Sequence, residues 1–288
     1  MKRFVLMPLL LLAWPAAGAA SGGPAAGGVV TGWDGVVAPG GAVRYVALTA
    51  GGWTNVEAVR LRGGRVVRFA AVRGGFGIPL VTSDGTTGGV SHDGRTLVLS
   101  TFPNLGSGAV SRFAVFDTRL LRLRHVVTLR GSYSYDALSP DGSTLYLIEY
   151  SQGATTVRYR VRAFDLKAGR LLAGVIADKR VWGEYMRGSP VSRATTVDGG
   201  WVYTLYGKPD GTAFVHALDA RHRAAVCVDL PWRRAQNAVG LVKLALSSDG
   251  RQLILRQPGF GRLALVDTAS FRVHALRKPV SPGDQVTG

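Results

Sequence analysis

The chain has 288 residues, of which 35 are Lys or Arg and 18 are Asp or Glu, so its formal net charge at pH 7 is +17. A hydrophobic content of 47% is enough for a sizeable core, and 39 glycines favour short strands and turns over long helices. The single cysteine, Cys227, excludes an internal disulfide, so packing alone has to hold the fold together.

The N-terminus has the three parts of a secretory signal peptide. Lys2 and Arg3 precede an apolar run, Phe4–Leu12, and small residues fill positions 16–20. The run is shorter than the roughly 20 residues of a membrane-spanning helix, although an uncleaved anchor stays the alternative. We therefore predict a signal peptide at 1–20 and an extracytoplasmic protein, secreted, periplasmic or associated with the cell wall. Export argues against nucleic acid, the partner that the basic charge alone would favour.

Composition divides the rest of the chain into one domain with two short flanks. Residues 21–33 are rich in Ser, Gly, Pro and Ala and are predicted to be a flexible leader. Residues 34–276 are predicted to form the domain, and residues 277–288, which include two prolines, to form a tail. We expect the protein to be a monomer.

Two turn signals repeat through the domain in the same phase. An Asp-Gly pair favours a tight hairpin because glycine tolerates a positive φ, and a wider turn that begins with aspartate follows each pair. The pairs begin at Asp93, Asp141, Asp198 and Asp249, and the wider turns begin at Asp117, Asp165, Asp219 and Asp267. The spacing of about 50 residues is typical of four-stranded propeller blades, and a degenerate copy at 39–66 makes five units. The third unit is predicted to have strands at 134–139, 144–149, 160–165 and 170–176.

The hairpin Ser139-Pro140-Asp141-Gly142, followed by Leu145, has variants at 91–94 and 247–250. This pattern resembles that of bacterial extracytoplasmic β-propellers of the TolB-like and YVTN-like kind, over roughly 34–276. The repeated Trp-Asp and Gly-His signatures of WD-repeat propellers are missing. The resemblance implies an all-β fold, a β-propeller, and the repeat count gives five four-stranded blades. These families include partner-binding scaffolds with no shared catalytic motif.

Catalytic signatures are mostly missing. There is no nucleophile elbow, no zinc-binding His pair and no Gly-rich phosphate loop, and the five histidines are dispersed, so we predict no metal and no cofactor. Asp136 and Glu149 are predicted at one rim of the propeller, near the channel mouth. Two carboxylates there could act as acid and base, or nucleophile, in glycoside cleavage. The alternative is that they pair with arginines, such as Arg193 in the next unit.

Two long loops between successive units, 178–193 and 231–243, combine cations with aromatic residues on the same predicted rim. Arginine offers a planar fork for carboxylate or phosphate, and Trp and Tyr supply flat contact area. The residues predicted to bind a partner are Lys179, Arg180, Trp182, Tyr185, Arg187, Arg193, Trp232, Arg233, Arg234 and Lys243.

Three functions fit the sequence. The leading hypothesis is an exported, non-enzymatic binding scaffold that engages an anionic cell-envelope polymer, a lipid surface or an acidic protein through the basic, aromatic rim. The second is a carbohydrate-active enzyme that uses Asp136 and Glu149. In the third, the charge is background composition, and binding uses an apolar edge or another blade face.

Overall fold

The computed structural model describes residues 27–151, 158–178, 185–233 and 235–281, and most of these lie in β-strands or the turns between them. The only helix within these ranges, α1, is the four-residue turn Gln236–Val239. No helix of the described residues is long and apolar enough to cross a membrane. The predicted signal peptide at 1–20 lies outside these ranges.

Within the described ranges, five antiparallel sheets of three or four strands follow one another in chain order. The first sheet consists of β2 (Gly32–Val37), β3 (Val43–Ala50), β4 (Trp53–Arg60) and β5 (Val66–Arg73). The second has three strands, β7 (Thr96–Ser100), β8 (Val110–Asp117) and β9 (Arg122–Arg130). The third consists of β10 (Tyr133–Leu138), β11 (Thr144–Ser151), β12 (Arg158–Asp165) and β13 (Arg170–Leu171). The fourth consists of β14 (Ser189–Thr195), β15 (Trp201–Gly207), β16 (Ala213–Asp219) and β17 (Ala224–Leu230). The fifth consists of β18 (Lys243–Leu246), β19 (Gln252–Gln257), β20 (Gly261–Asp267) and β21 (Val273–Ala275). A further pair joins β1 (Gly28–Val30) to β6 (Ile78–Leu80).

Successive sheets pack face to face. Four hydrophobic clusters join the first sheet to the second, the second to the third, the third to the fourth and the fourth to the fifth. On β11, Leu145 and Leu147 contact the second sheet, whereas Tyr146 and Ile148 contact the fourth. Both faces of this strand are therefore covered, as in a propeller blade. The predicted fold class, an all-β propeller, is confirmed.

The turn aspartates fix the hairpins in the way that the repeat predicts. The Asp141 carboxylate accepts hydrogen bonds from the Ser139 hydroxyl at 2.6 Å and from the Ser143 amide at 3.1 Å. Gly142 follows with a φ of 67°. The equivalent aspartates bond in the same way, and they are Asp93, Asp198 and Asp249. Each unit consequently sets its own strand register through local contacts.

Both flanks take part in the fold more than their composition suggests. Strand β1 and the start of β2 lie within 21–33, the range predicted to be a leader. The Gly27 amide donates to the Tyr150 hydroxyl of the third sheet at 3.2 Å. At the other end, the backbone of Val280 exchanges hydrogen bonds of 2.7 and 3.0 Å with the Gln257 side chain. Long-range contacts of this kind leave no periodic signal in the flanks themselves.

In the second unit, β7 is joined on its inner side by isolated bridges at Gly77 and Val90, and the irregular segment between them, residues 81–88, contacts other sheets. The amides of Ser83 and Asp84 donate to carbonyls of β14 at 3.0 and 3.1 Å. The Thr87 hydroxyl donates to a carbonyl of β2 at 3.0 Å. The Asp84 carboxylate pairs with Lys243 of β18 at 3.2 Å. The segment therefore connects the first, fourth and fifth sheets.

The ionisation of Asp84 makes the stability that these contacts contribute depend on pH. Burial would raise the pKa of its carboxyl, but hydrogen bonds from Thr82, Thr86, Ser192 and Lys243 outweigh it and lower the pKa from 3.8 to about 2. A carboxyl whose pKa is lower in the folded state stabilises the fold above its unfolded pKa, and this contribution disappears as the pH falls through the folded pKa.

We expect Asp84→Asn to lower the free energy of unfolding by about 1–2 kcal/mol at pH 7. The difference from wild type should shrink between about pH 4 and pH 2, because wild type then becomes protonated as well. Urea unfolding of both proteins across this pH range checks the prediction. A difference that stays constant down to pH 2 would contradict it.

Candidate functional site: the loop rim and the central carboxylates

The predicted rim residues fall into exposed, buried and paired groups. Arg187, in the loop before β14, and Arg233, in the loop after β17, are both exposed. Tyr185 is 47% exposed, and the Arg160 guanidinium lies over its ring, 5.6 Å from the centroid. Four further predicted residues lie outside the described ranges, and they are Lys179, Arg180, Trp182 and Arg234. Of the predicted binding residues that the structure describes, Arg187, Arg233 and Tyr185 are therefore exposed.

Trp232 is a core residue, contrary to its predicted place on the binding surface. Its side chain is only 2% exposed and packs in the cluster between the fourth and fifth sheets. The indole Nε1 donates to the carbonyl of Arg277 at 3.2 Å. Its partner thus comes from the range predicted to be a tail, and local sequence does not reveal such a contact. Trp232 anchors its loop and offers little surface to a partner.

Arg193 is also placed differently from the prediction. Its guanidinium pairs with the carboxylate of Asp136 on β10 and also donates to the backbone carbonyl of Asp136. Its Nε donates to the Thr204 hydroxyl at 2.9 Å. The two side chains of the ion pair are 8% and 4% exposed, so both are buried between the third and fourth sheets. Lys243, paired with Asp84, is likewise not a free rim cation.

The space beside Asp136 is small. Its second carboxylate oxygen, Oδ2, is buried and has no hydrogen-bond partner among the described residues. A cavity of about 20 Å³ lies there, and its polar lining consists of Ser134, Asp136, Tyr150, Tyr159 and Tyr206 with Tyr135. A cavity of this volume holds about one water molecule. A sugar ring does not fit beside Asp136.

Glu149 belongs to a separate network. Its carboxylate accepts hydrogen bonds from Tyr133 at 2.8 Å, from Arg160 at 2.6 Å and from Arg162 at 2.9 Å. Burial would raise the pKa of Glu149, but these hydrogen bonds and the arginine charges outweigh it and lower the pKa. A general acid for glycoside cleavage needs a raised pKa. The arrangement of Asp136 and Glu149 is that of structural ion pairs, the alternative named above.

Neither central cavity gathers reactive groups. A second cavity, of about 270 Å³, lies toward the other end of the inner strands, and its lining includes His92, Thr87, Thr195 and Arg193. Within the described ranges, no group of three or more His, Cys, Asp or Glu side chains could hold a metal ion. Cys227 is partly buried and packs against the cluster between the third and fourth sheets.

Sequence reasoning missed a second surface, on the first sheet. Trp53 is 50% exposed and Phe69 is 78% exposed, although both lie in strands. Blade strands are apolar on both faces, so their sequence does not reveal which face stays uncovered. The concentration of large apolar residues in the degenerate first unit was the available signal.

No family model and no curated protein matches the sequence. Solved structures do match. A putative TolB from Agrobacterium tumefaciens is 16% identical, with a TM-score of 0.43, over 83% of this chain and 78% of that one. TolB from Acinetobacter baumannii is 14% identical, with a TM-score of 0.37, over 81% and 57%. The Dos1 propeller is 11% identical, with a TM-score of 0.40, over 81% and 57%.

In fold, the chain is similar to TolB-like propellers, as its turn pattern predicts. Identities this low carry no information about ligands or partners.

Proposed function

We propose that the protein is an exported, non-enzymatic β-propeller that binds an anionic partner through exposed cations of its loop rim. An anionic cell-envelope polymer, a lipid surface and an acidic protein all have the required charge. The signal-peptide pattern at 1–20 supports export. Long loops on a rigid scaffold are where binding residues concentrate.

The proposal is supported above all by the carboxylates, which are paired with cations or hydrogen-bonded within turns. Asp136 and Glu149 pair with arginines, and Asp84 pairs with Lys243. The turn carboxylates accept hydrogen bonds from their own turns. No ion pair of Arg187 or Arg233 is found among the residues that the structure describes. With a formal charge of +17, the unpaired excess is positive and available to an anion.

Binding should therefore depend on salt. We expect the protein without residues 1–20 to bind at least one of three probes at low ionic strength: polygalacturonate, phosphatidylglycerol vesicles or poly-L-glutamate. Binding should weaken toward physiological salt, because the screening length falls from about 30 Å at 0.01 M to about 8 Å at 0.15 M. Titrations at several salt concentrations measure this. Failure to bind all three probes, or an affinity that does not change with salt, would contradict the proposal.

A further inference from the structure

One face of the first sheet carries large side chains that the other blades leave uncovered. Trp53 pairs across the strands with Arg73, and Glu57 pairs with Phe69. Because side chains alternate along a strand, these four residues share one face, and Val56 lies on the other. Val56 packs against the second sheet. None of the four residues belongs to any of the hydrophobic clusters that join the described sheets.

The exposure of this face has no structural explanation within the described sheets. Phe69 is 78% exposed and Trp53 is 50% exposed, and Val66, which is 41% exposed, lies on the same face. Two large aromatic side chains exposed on one face of a sheet make this face a candidate interaction site. Segment 81–88 contacts the first sheet through the Thr87 hydroxyl and the fifth sheet through the ion pair of Asp84 with Lys243.

The geometry of the face selects the chemistry of a partner. Trp53 and Phe69 lie on neighbouring strands and are four residues apart along them, a distance of about 13 Å. Two exposed rings about 13 Å apart on one sheet face can both be contacted by an extended chain. A folded protein partner is instead anchored by side chains that fill pockets.

The exposed charge on this face indicates an anionic partner. The Arg73 side chain lies beside Trp53 and is exposed, so its guanidinium can meet a carboxylate of a group stacked on the indole. Glu57, the acidic residue of the face, has one carboxylate oxygen buried. We propose that this face binds an acidic polysaccharide, whose sugar rings stack on Trp53 and Phe69 and whose carboxylates meet Arg73. The inference rests on the proposed function only for the sign of the partner's charge.

The test uses polygalacturonate as the probe, with neutral dextran and phosphatidylglycerol vesicles beside it. Trp53→Ala and Phe69→Ala should each weaken binding to polygalacturonate about tenfold, which corresponds to about 1.4 kcal/mol. Trp53→Tyr keeps a ring and should restore most of the affinity. Leu120→Ala is the matched control, because Leu120 is 75% exposed at the wide turn of the second unit. Its affinity should equal that of wild type, and dextran should not bind.

Several results would overturn the inference. These are wild-type protein that does not bind polygalacturonate, ring variants that bind it as wild type does, and a loss confined to the vesicles, which would assign the face to lipid. A rim variant, Arg187→Glu with Arg233→Glu, separates the two proposals. If only the rim variant loses binding, the rim proposal stands and this one fails. If only the ring variants lose binding, the face of the first sheet is the binding site and the rim proposal fails.

Discussion

Replacing Asp136 with alanine is expected to destabilise the fold by about 3–5 kcal/mol, because it leaves the Arg193 guanidinium buried without its counter-ion. The two side chains of this pair are only 4% and 8% exposed, and Arg193 has its remaining contacts to Thr204 and to the backbone of residue 136. Burying an unpaired charge is costly because the protein interior solvates it poorly. Urea unfolding followed by circular dichroism measures the loss.

The matched control is the exposed pair between Arg124 and Asp117, whose side chains are 44% and 31% exposed. Arg124→Ala should cost no more than about 1 kcal/mol, since water screens both charges. The double variant Asp136→Leu with Arg193→Met removes both buried charges and should recover much of the loss. If Asp136→Ala were as mild as Arg124→Ala, the buried ion pair of Asp136 and Arg193 would not stabilise the fold.

Gly142→Val is expected to cause the second large loss of stability, for two reasons that act together. Gly142 has a φ of 67°, which a β-branched residue adopts only with strain of about 1–3 kcal/mol. In addition, a Cβ at this position would lie 2.5 Å from the Thr96 hydroxyl oxygen and 2.7 Å from the Thr96 Cβ, in the neighbouring blade. The substitution therefore strains the hairpin and pushes two blades apart.

The repeat provides an internal control for Gly142. Gly94 has a φ of 69°, but a Cβ there meets nothing within 4 Å. Gly94→Val should therefore show the strain without the clash and lose less stability than Gly142→Val. Arg233→Ala, in an exposed loop, should stay within about 0.5 kcal/mol of wild type. Thermal melts rank the three variants, and equal melting temperatures for Gly142→Val and Arg233→Ala would contradict the division into scaffold and loops.

The fold was predictable because its signals are local. An aspartate such as Asp141 forms its turn with residues two positions away, so each unit carries the pattern in its own sequence. The wide turns behave similarly: Asp165 accepts hydrogen bonds from the amides of Lys167 and Ala168. The predicted strands of the third unit, from 134–139 onward, accordingly lie within one or two residues of the observed ones, except for the last, β13, which is shorter than predicted.

The irregular parts were not predictable for the opposite reason. Segment 81–88 forms hydrogen bonds and an ion pair with residues of the fourth and fifth sheets that lie more than 100 positions later in the sequence. Nothing in the composition of the segment indicates these partners. Trp232 was placed correctly in a loop, but its burial depends on a carbonyl 45 residues later. For Arg193, the sequence allowed both a rim cation and a partner of Asp136, and only the packing of two sheets decides between them.

The most direct test of the central claim compares two charge reversals of equal size. Arg187→Glu with Arg233→Glu alters the rim, whereas Arg119→Glu with Arg122→Glu alters exposed cations at a wide turn on the opposite side. The quantity to measure is the affinity for whichever of polygalacturonate, phosphatidylglycerol vesicles and poly-L-glutamate wild type binds at low salt. A loss of about tenfold or more in the rim variant, with the opposite-face variant within about twofold of wild type, is predicted. An equal loss in both variants would mean that only bulk charge matters, and the rim would not be the binding site.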